Sequence, residues 1–458
     1  MAPSVPGRAW LLAALPAAAV LAIDPAGLSP FGPLKWLLIP SLLLAGSAVL
    51  ASSGLARRPV ARNPAVAMAA FLAWVGLAAA VGADGLYAWT GTPERHFGAF
   101  TWGLCGLAFV VGQWLEPVAA RRVITVAMVT AGVAGAWALA EAAGWQPLDL
   151  AGAGVRPVAT LGSSAYLGAA MALLAPVAVG VAVDRASRPL ARRAALLAAA
   201  AAALALVASG ARAAWVGAIV AGLATAWCRR QGPGGGSRGA PGHDRRRLAL
   251  AGTAGVALVV AVAVATGVTG RLTGVADETG GGARGRLDEW RVAARVVADH
   301  PLTGVGPEGY RIVFGGAVDD DYEMAHGRDP LPDRAHSAPL DVAVTTGLPG
   351  LAAYAVLVGL VGRLVLRSLR RSPAALAGVA AGLVAYTTQS LLLFPVAELE
   401  PVAWLLAGLV VARSLTAGEA ATLAVPRIAP VVAGALAALA LVAGVLDVAA
   451  DRVARSTL

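Results

Sequence analysis

The residues of this 458-residue chain with the clearest chemical capacity are a few arginines and one histidine beside long apolar stretches. Arg212 lies in a short turn between two apolar stretches, and His336 directly precedes another. A guanidinium offers planar, paired hydrogen-bond donors and stays protonated at any working pH, which suits it to anions. An imidazole can accept a proton near neutral pH. Together the two residue types allow anion binding and proton transfer.

Both residues also have a purely structural interpretation. Arg212 could extend its side chain to lipid headgroups, and His336 could be an interfacial residue or a helix cap. Charged side chains at membrane depth are costly and usually functional. The tendency of positive residues to collect on the cytoplasmic side gives no reason for Arg212 to stand in this turn. We therefore favour a functional role for Arg212.

Metal and disulfide chemistry find little support in the sequence. The only cysteines, Cys105 and Cys228, lie within apolar runs, which excludes a disulfide framework and a cysteine-ligated zinc site. The acidic run Asp319-Asp320-Asp321 favours a solvated loop tip over a metal site. We predict no metal and no cofactor.

The elements that must position these residues are membrane helices. Apolar residues make up 58% of the chain, and charged residues only 14%, against about 25% in soluble domains. The mean hydropathy is +0.72. This composition excludes a soluble single-core protein, a disordered tail and a disulfide scaffold. We predict an all-α polytopic membrane protein with about 12–13 transmembrane helices of about 20 residues each and one long outer loop containing short helices.

The apolar stretches divide the chain into two membrane parts. Residues 1–269 hold about nine predicted helices and residues 338–448 about four, with an extracytoplasmic loop at 270–337 and a tail at 449–458. A stretch rich in glycine and arginine, 229–247, is typical of a cytoplasmic linker. The predicted spans are 9–23, 34–55, 64–82, 98–115, 123–143, 161–183, 194–209, 213–228, 248–269, 338–362, 374–394, 401–415 and 428–448.

The basic residues predict the orientation of the helices. Of the 36 lysines and arginines, 22 fall on the side that contains the amino terminus, which indicates a cytoplasmic amino terminus. The long outer loop holds eight and the other outer segments six. The first apolar stretch is either a retained anchor or a signal cleaved near residue 22, and the remaining topology is the same in both cases.

The long loop differs in composition from the helices around it. Residues 270–335 contain eight arginines and twelve carboxylates, so their net charge of −4 excludes a basic patch for nucleic acid. Residues 284–298 have the periodicity of an amphipathic helix. Its apolar stripe is predicted to be Leu287, Trp290, Ala294 and Val297.

The remaining polar residues of the loop have simpler predicted roles. Arg291 either belongs to a solvated face that pairs with neighbouring carboxylates or binds a ligand. His300 ends the helix because the residue before a proline disfavours the helical conformation. Gly304 and Gly306 form a tight structural turn.

Several short motifs follow one another around this loop. They are Arg156-Pro157-Val158-Ala159-Thr160-Leu161-Gly162, Ser209-Gly210-Ala211-Arg212-Ala213-Ala214-Trp215, Arg286-Leu287-Asp288-Glu289-Trp290, Asp299-His300-Pro301-Leu302-Thr303-Gly304-Val305-Gly306, Ala335-His336-Ser337-Ala338-Pro339-Leu340, Gly347-Leu348-Pro349-Gly350 and Leu393-Phe394-Pro395. In this order, over about residues 155–415, the chain resembles the O-antigen ligase and polymerase superfamily of polytopic bacterial membrane glycosyltransferases.

The resemblance implies a function in cell-surface polysaccharide assembly. Family members transfer a glycan from a polyprenyl pyrophosphate carrier to an acceptor hydroxyl on the outer face of the cytoplasmic (inner) membrane. It implies a metal-independent ligase or polymerase in which Arg156, Arg212, Arg286 and Arg291 bind the pyrophosphate and His336 is the base. The implied partners are the lipid-linked donor, a glycan, lipid or protein acceptor, and membrane lipids, but no nucleic acid.

Two positions depart from the family pattern. Ser337 stands where asparagine often follows the histidine, and Thr345 stands where a glutamate often precedes the next glycine. Position 345 therefore supplies no carboxylate to His336. Two alternatives remain open: an inactive scaffold of the same fold, and a polytopic transporter or flippase of the envelope. The candidate transport residues are Glu141, Asp341 and Gln389.

Overall fold

The computed structural model describes residues 10–52, 57–146, 148, 156–231, 250, 283–327, 332–416 and 418–457. The predicted span at 248–269 lies outside these residues apart from Leu250, as do most of the predicted linker and the first part of the long loop.

Helices make up nearly all of the described chain. They are α1 Trp10–Ala13, α2 Leu15–Leu21, α3 Pro33–Ala51, α4 Arg62–Val81, α5 Tyr87–Thr90, α6 Ala99–Trp114, α7 Pro117–Ala142, α8 Ser164–Val183, α9 Pro189–Ala208, α10 Arg212–Arg230, α11 Ala283–Asp299, α12 Tyr310–Ala317, α13 Asp320–His326, α14 Ala338–Arg371, α15 Ala374–Ser390, α16 Glu400–Ser414 and α17 Ala429–Ser456. Strands β1, Arg57–Ala61, and β2, Ala420–Ala424, pair antiparallel.

Seven of these helices, α3, α4, α7, α8, α9, α14 and α17, are long and apolar enough to cross a membrane. The predicted all-α polytopic membrane fold is thus confirmed. Helices α7 and α9 begin earlier than their predicted spans, at Pro117 and Pro189. Proline is favoured in the first helical turn because the missing N–H has no partner there anyway. In these two helices the apolar runs missed the first turns, which carry polar residues, and reached the carboxyl ends.

The connections between the helices gather at two ends of the bundle. At one end, the Lys35 Nζ donates to Thr160 O at 2.5 Å, and Ala83 N donates to Val305 O at 2.8 Å. Helices α11, α12 and α13 lie at this end, which we call the loop end. At the opposite end, the two-stranded sheet joins the start of α4 to the segment before α17.

Helices α11, α12 and α13 form a small lid with its own core. Buried side chains from all three pack together, namely Val292, Ala293, Val296, Tyr310, Phe314 and Tyr322. The predicted helix at 284–298 matches α11, but its predicted apolar stripe is wrong: Leu287 is 53% exposed and Ala294 is also exposed. The small side chains of the observed stripe pack against the Tyr310 and Phe314 rings, so residues of modest volume face the core.

A glycine-rich turn docks the lid onto a break in α14. The helix is interrupted at Gly347, whose φ is 69° and ψ −176°. Val305 N donates to Val344 O at 2.9 Å, and Leu348 N donates to Pro301 O at 2.8 Å. Backbone groups freed by the break therefore pair with the turn of the lid, which satisfies them in a region with little water.

Gly304 is the residue of this turn that tolerates least change. Its φ is +64°, and a Cβ there would lie 2.4 Å from Val344 O. We expect Gly304→Ala to loosen the docked turn by about 1–3 kcal/mol, since it adds both backbone strain and a clash. Limited proteolysis of the lid and the midpoint of thermal unfolding measure the effect. Gly316→Ala is the matched control, because a Cβ at Gly316 meets nothing within 4 Å. Equal protease resistance in the two variants would contradict the docking role.

Candidate functional site

His336 lies at the loop end, one residue before the Ser337 N-cap of α14. Its φ is +49°, in the left-handed region that non-glycine residues rarely adopt. Ala338 N donates to Leu393 O at 3.1 Å, which anchors the start of the helix to the connection between α15 and α16. Such strain costs about 1–3 kcal/mol and is most often kept at functional positions.

The imidazole of His336 has two close neighbours. Its Nδ1 lies 3.0 Å from Oε2 of Glu289 on α11. This is an ion-pair distance, although the angle is not that of a hydrogen bond, and both atoms are buried without another hydrogen-bond partner. The Phe394 ring meets the imidazole edge at 5.4 Å between centroids. A carboxylate thus lies beside His336, and it comes from Glu289 on α11, a residue to which the sequence motifs assigned no role.

Arg286 lies on α11 one turn before Glu289, and its side chain extends to the segment that holds the start of α14. Its Nη1 donates to Leu392 O at 3.0 Å, and the side chain is partly buried. The next carbonyl, Leu393 O, holds the start of α14 beside His336. One short segment thus fixes both Arg286 and the histidine, and the sequence prediction that these two residues belong to one site is consistent with the geometry.

Arg95 is a further arginine at this site that the motifs missed. Its guanidinium lies 5.0 Å from the Phe394 ring centroid and bonds the Tyr166 hydroxyl and both oxygens of Asp333, one of them at 3.1 Å. Burial disfavours the Asp333 carboxylate, but the bond from Arg95 prevails and lowers the pKa of Asp333. The position of Arg95 in the sequence could have indicated it as a candidate, since it is one of few basic residues in the short outer connections.

Arg212 and Arg156 lie on adjoining turns of the loop end. Arg212 is the first residue of α10 and is exposed. Arg156 is also exposed, and its Cδ would be 3.1 Å from a Cβ added to Gly210. Because Gly210 is two residues before Arg212, the two arginines lie on neighbouring segments. The amino terminus of α10 adds positive potential from its unpaired N–H groups. Anions are favoured at this corner.

The packing of α10 against α15 places this corner at the loop end, near the end of α15. Gly217 lies against α15: a Cβ added to Gly217 would be 2.3 Å from Ala385 O and 3.2 Å from the Gln389 Cβ. Such contact is possible only without a side chain. Three residues after Gln389 comes Leu392, the partner of Arg286. Arg212 is therefore at the same end of the bundle as Arg286 and next to its anchoring segment.

Other residues singled out in the sequence serve elsewhere. Arg291 is 72% exposed and pairs with Asp288 at 2.7 Å, which agrees with the solvated-face interpretation rather than the ligand-binding one. His300 follows α11, and its Nδ1 lies 3.3 Å from Val296 O, as expected of a helix-ending residue. Gly306, with a φ of +80°, approaches the Gly82 backbone in the docking turn.

Three buried charged residues, Arg334, Glu308 and Asp341, form an ion cluster, and Arg334 stands two residues before His336 in the chain. Arg334, 4% exposed, donates to Glu308 Oε1 at 2.5 Å and lies 3.5 Å from Asp341 Oδ2. Burial raises the pKa of Glu308, although the charge of Arg334 opposes this effect. The sequence motifs did not indicate the ion cluster, because its members are far apart in the chain and Asp341 resembled an isolated membrane carboxylate. It joins the lid turn, the segment before the histidine and the first turn of α14.

An apolar groove of about 550 Å³ begins beside the histidine and runs between α14, α15 and α16. Ala338 and Leu391 line it at the loop end, and Gly359, Gly362 and Leu366 continue it along α14. Leu366 is 43% and Leu391 50% exposed, so the groove opens on the flank of the bundle that faces lipid. Its shape and lining suit an extended hydrocarbon chain.

The described residues contain no group of three or more histidine, cysteine, aspartate or glutamate side chains placed to hold a metal ion. Positive charge at the site comes from guanidinium groups. The candidate site therefore has a histidine with a carboxylate neighbour, several arginines around it, and an apolar groove leading into the membrane.

These features define a polytopic membrane protein with a polar site at one end of its helices. The O-antigen ligase family model matches residues 196–355, a segment that contains Arg212, Arg286 and His336. The match confirms the resemblance to the O-antigen ligase and polymerase superfamily that the motifs indicated. Among curated proteins, none matches the chain.

His96, next to Arg95, gives the loop end a pH-dependent stability. Burial lowers the pKa of His96 to about 4, and its ring stacks on Trp36 at 4.9 Å. Unfolded histidine takes up its proton near pH 6.5, whereas the folded protein does so only near 4. Stability is thus full above the unfolded pKa and falls as the pH decreases through this window. We expect thermal unfolding to shift down by several degrees between about pH 7 and pH 5.

The variant His96→Asn should show a smaller shift over the same range, because asparagine does not titrate and tolerates the left-handed backbone at this position, where φ is +51°. Thermal unfolding in detergent at a series of pH values measures both proteins. An equal downward shift in the variant would assign the pH dependence to other groups.

Proposed function

We propose that this protein transfers a glycan from a polyprenyl pyrophosphate carrier to an acceptor hydroxyl on the outer face of the bacterial cytoplasmic membrane. The loop end would then face outward, in agreement with the distribution of positive residues. The observation that carries the proposal is the grouping of arginines around a histidine at the head of an apolar groove. A lipid diphosphate needs both kinds of surface.

The proposed chemistry is a displacement at the anomeric carbon of the donor. The acceptor oxygen forms a bond to that carbon while the bond from the carbon to the diphosphate oxygen breaks. His336 takes the proton of the acceptor hydroxyl. Negative charge grows on the leaving diphosphate, where Arg212, Arg286 and Arg156 supply fixed positive charge in a partly dry site. No proton has to be supplied to the leaving group while these guanidinium groups stabilise it.

The apolar groove provides a place for the carrier. Its upper end adjoins His336, so a diphosphate held by the arginines would have its hydrocarbon tail directed down the groove between α14 and α15. Tyr386, Glu400 and Trp404 line the groove near its upper part, with Tyr386 and Trp404 both donating to the Glu400 carboxylate. The lower part is apolar, as the tail requires.

The three residues that the transporter hypothesis needs have structural partners. Glu141 accepts from Val158 N and Ala159 N at 2.9 and 2.8 Å. Asp341 pairs with Arg334, and Gln389 donates to Ser390. The contacts of Glu141 and Asp341 hold connections together at the loop end, whereas Gln389 bonds only its neighbour within α15. The carboxylates are thus occupied by structural contacts, which favours transfer over transport.

We expect Arg212→Ala, Arg286→Ala and His336→Ala each to lower glycan transfer by about 100-fold or more, since each removes a group that acts on developing charge or on the proton. Membrane insertion and thermal unfolding should change little. Transfer is measured with purified protein and a lipid-linked donor. Arg193→Ala is the control, because Arg193 is exposed at the opposite end of the bundle.

The same variants can be tested in a deletion strain by analysis of its surface glycans. Short chains on an acceptor in that strain identify a polymerase, and accumulated long lipid-linked chains identify a ligase. Full complementation by all three variants would refute the site. Unchanged glycans together with altered solute uptake would support the transporter hypothesis.

If the carrier tail binds in the groove, KM for the donor should depend on the length of that tail. A side chain at Gly359 would meet nothing within 4 Å, so Gly359→Trp should fill the groove without disturbing the helices. We expect it to raise KM for a long-tailed donor by about tenfold and to leave kcat unchanged, because binding common to ground and transition states is lost. A donor with a tail of about two isoprene units should be used as well as before.

Gly103→Trp is the matched control, since Gly103 on α6 is exposed, equally open and not part of the groove. A similar change of KM in both variants would indicate a general effect of the tryptophan. An unchanged KM for the long-tailed donor in Gly359→Trp would place the tail elsewhere and leave the role of the arginines intact.

A further inference from the structure

Two buried polar atoms at the site face only each other. Glu289 Oε2 and His336 Nδ1 are 3.0 Å apart, and the side chains are 18% and 30% exposed. Neither atom has another hydrogen-bond partner. A buried carboxylate oxygen without a partner costs free energy. A hydrogen bond from Nδ1–H to the carboxylate would satisfy both atoms.

In the part of the chain that the structure describes, three other carboxylates near His336 already have cationic partners. Asp341 accepts from Ala335 N at 3.2 Å and lies 3.5 Å from Arg334. Asp333 is bound by Arg95. Asp288, beside Glu289 in the chain, pairs with Arg291. Glu289 is therefore the carboxylate that is free to act on the histidine.

A carboxylate at Nδ1 has a definite effect on an imidazole. It holds the proton on Nδ1, which leaves Nε2 as the acceptor, and it fixes the direction in which the ring points. It also stabilises the imidazolium that forms when Nε2 takes up a proton. In such pairs the proton taken from the hydroxyl stays on Nε2 and is not passed on to the carboxylate.

Helix α11 carries this carboxylate three residues after Arg286, so both lie on one face of the helix. Arg286 is anchored at Leu392 O, and Glu289 meets His336. One rigid element thus sets the spacing between a positive group for the diphosphate and the carboxylate behind the base. Since α11 belongs to the lid, the histidine has its carboxylate only when the lid is docked.

We propose that Glu289 is the positioning residue for His336, holding the imidazole with Nε2 directed at the acceptor hydroxyl. This inference rests on the proposed function of the site. In this arrangement Glu289 of the lid supplies the carboxylate that position 345 of α14 does not supply. The hydroxyl of Thr345 instead donates to Asp341 O at 2.7 Å.

The test is a kinetic comparison of Glu289→Gln with the unmodified protein, using a lipid-linked donor and its acceptor. We expect kcat to fall about 10- to 100-fold, a loss similar to that seen when the carboxylate partner of a metal-bound histidine is removed. KM for the donor should stay within about threefold, because the arginines are untouched. Glu289→Asp should recover part of the loss. Asp299→Asn, an exposed carboxylate at the end of the same helix, is the control and should be unaffected.

A double variant separates positioning from general support of the lid. In the His336→Ala background, Glu289→Gln should cost nothing further, since residues that act as a unit are not additive. An equal loss in both backgrounds, a rise in KM in place of a fall in kcat, or full activity of Glu289→Gln would overturn the proposal. Absence of transfer by the unmodified protein would instead refute the proposed function.

Discussion

The placement of Arg334 between two carboxylates holds the polar lid to the apolar bundle. The guanidinium is nearly inaccessible to water, so its charge is tolerable only while Glu308 of the lid turn and Asp341 of α14 remain beside it. Removing one member of such a group costs about 3–5 kcal/mol, because a buried charge is left without compensation. The ion cluster therefore ties lid docking to the start of α14, two residues from the candidate base.

Backbone strain is concentrated in the same region. The described non-glycine residues with a positive φ are His96, Ala159, Glu308 and His336, and all lie in connections at the loop end. Each conformation is unfavourable by itself and persists because the surrounding contacts leave no alternative. The well-packed helices below supply that rigidity, and two of the strained residues, Glu308 and His336, lie in the ion cluster of Arg334 and in the candidate site.

The helices, their order and the presence of a site at the loop end could be predicted from the sequence. Apolar runs of membrane length and arginines in outer turns are local signals. The face of α11 that is buried could not be predicted in this way. Leu287 is the larger apolar residue, but the lid core accommodates Val292 and Val296 better, and volume matching depends on elements that come later in the chain.

By itself the sequence determined the class of protein and indicated which arginines to consider as candidates for diphosphate binding, since hydropathy and charge are properties of short segments. Tertiary structure decided which charges are neutralised and which remain available. Arg291 and Arg286 stand five residues apart on one helix, yet the first pairs with a solvated aspartate and the second reaches the anchor of α14. Packing of α11 against the start of α14 likewise places Glu289 next to His336. The partner of a charged side chain is set by packing between segments far apart in the chain, and that information is not local.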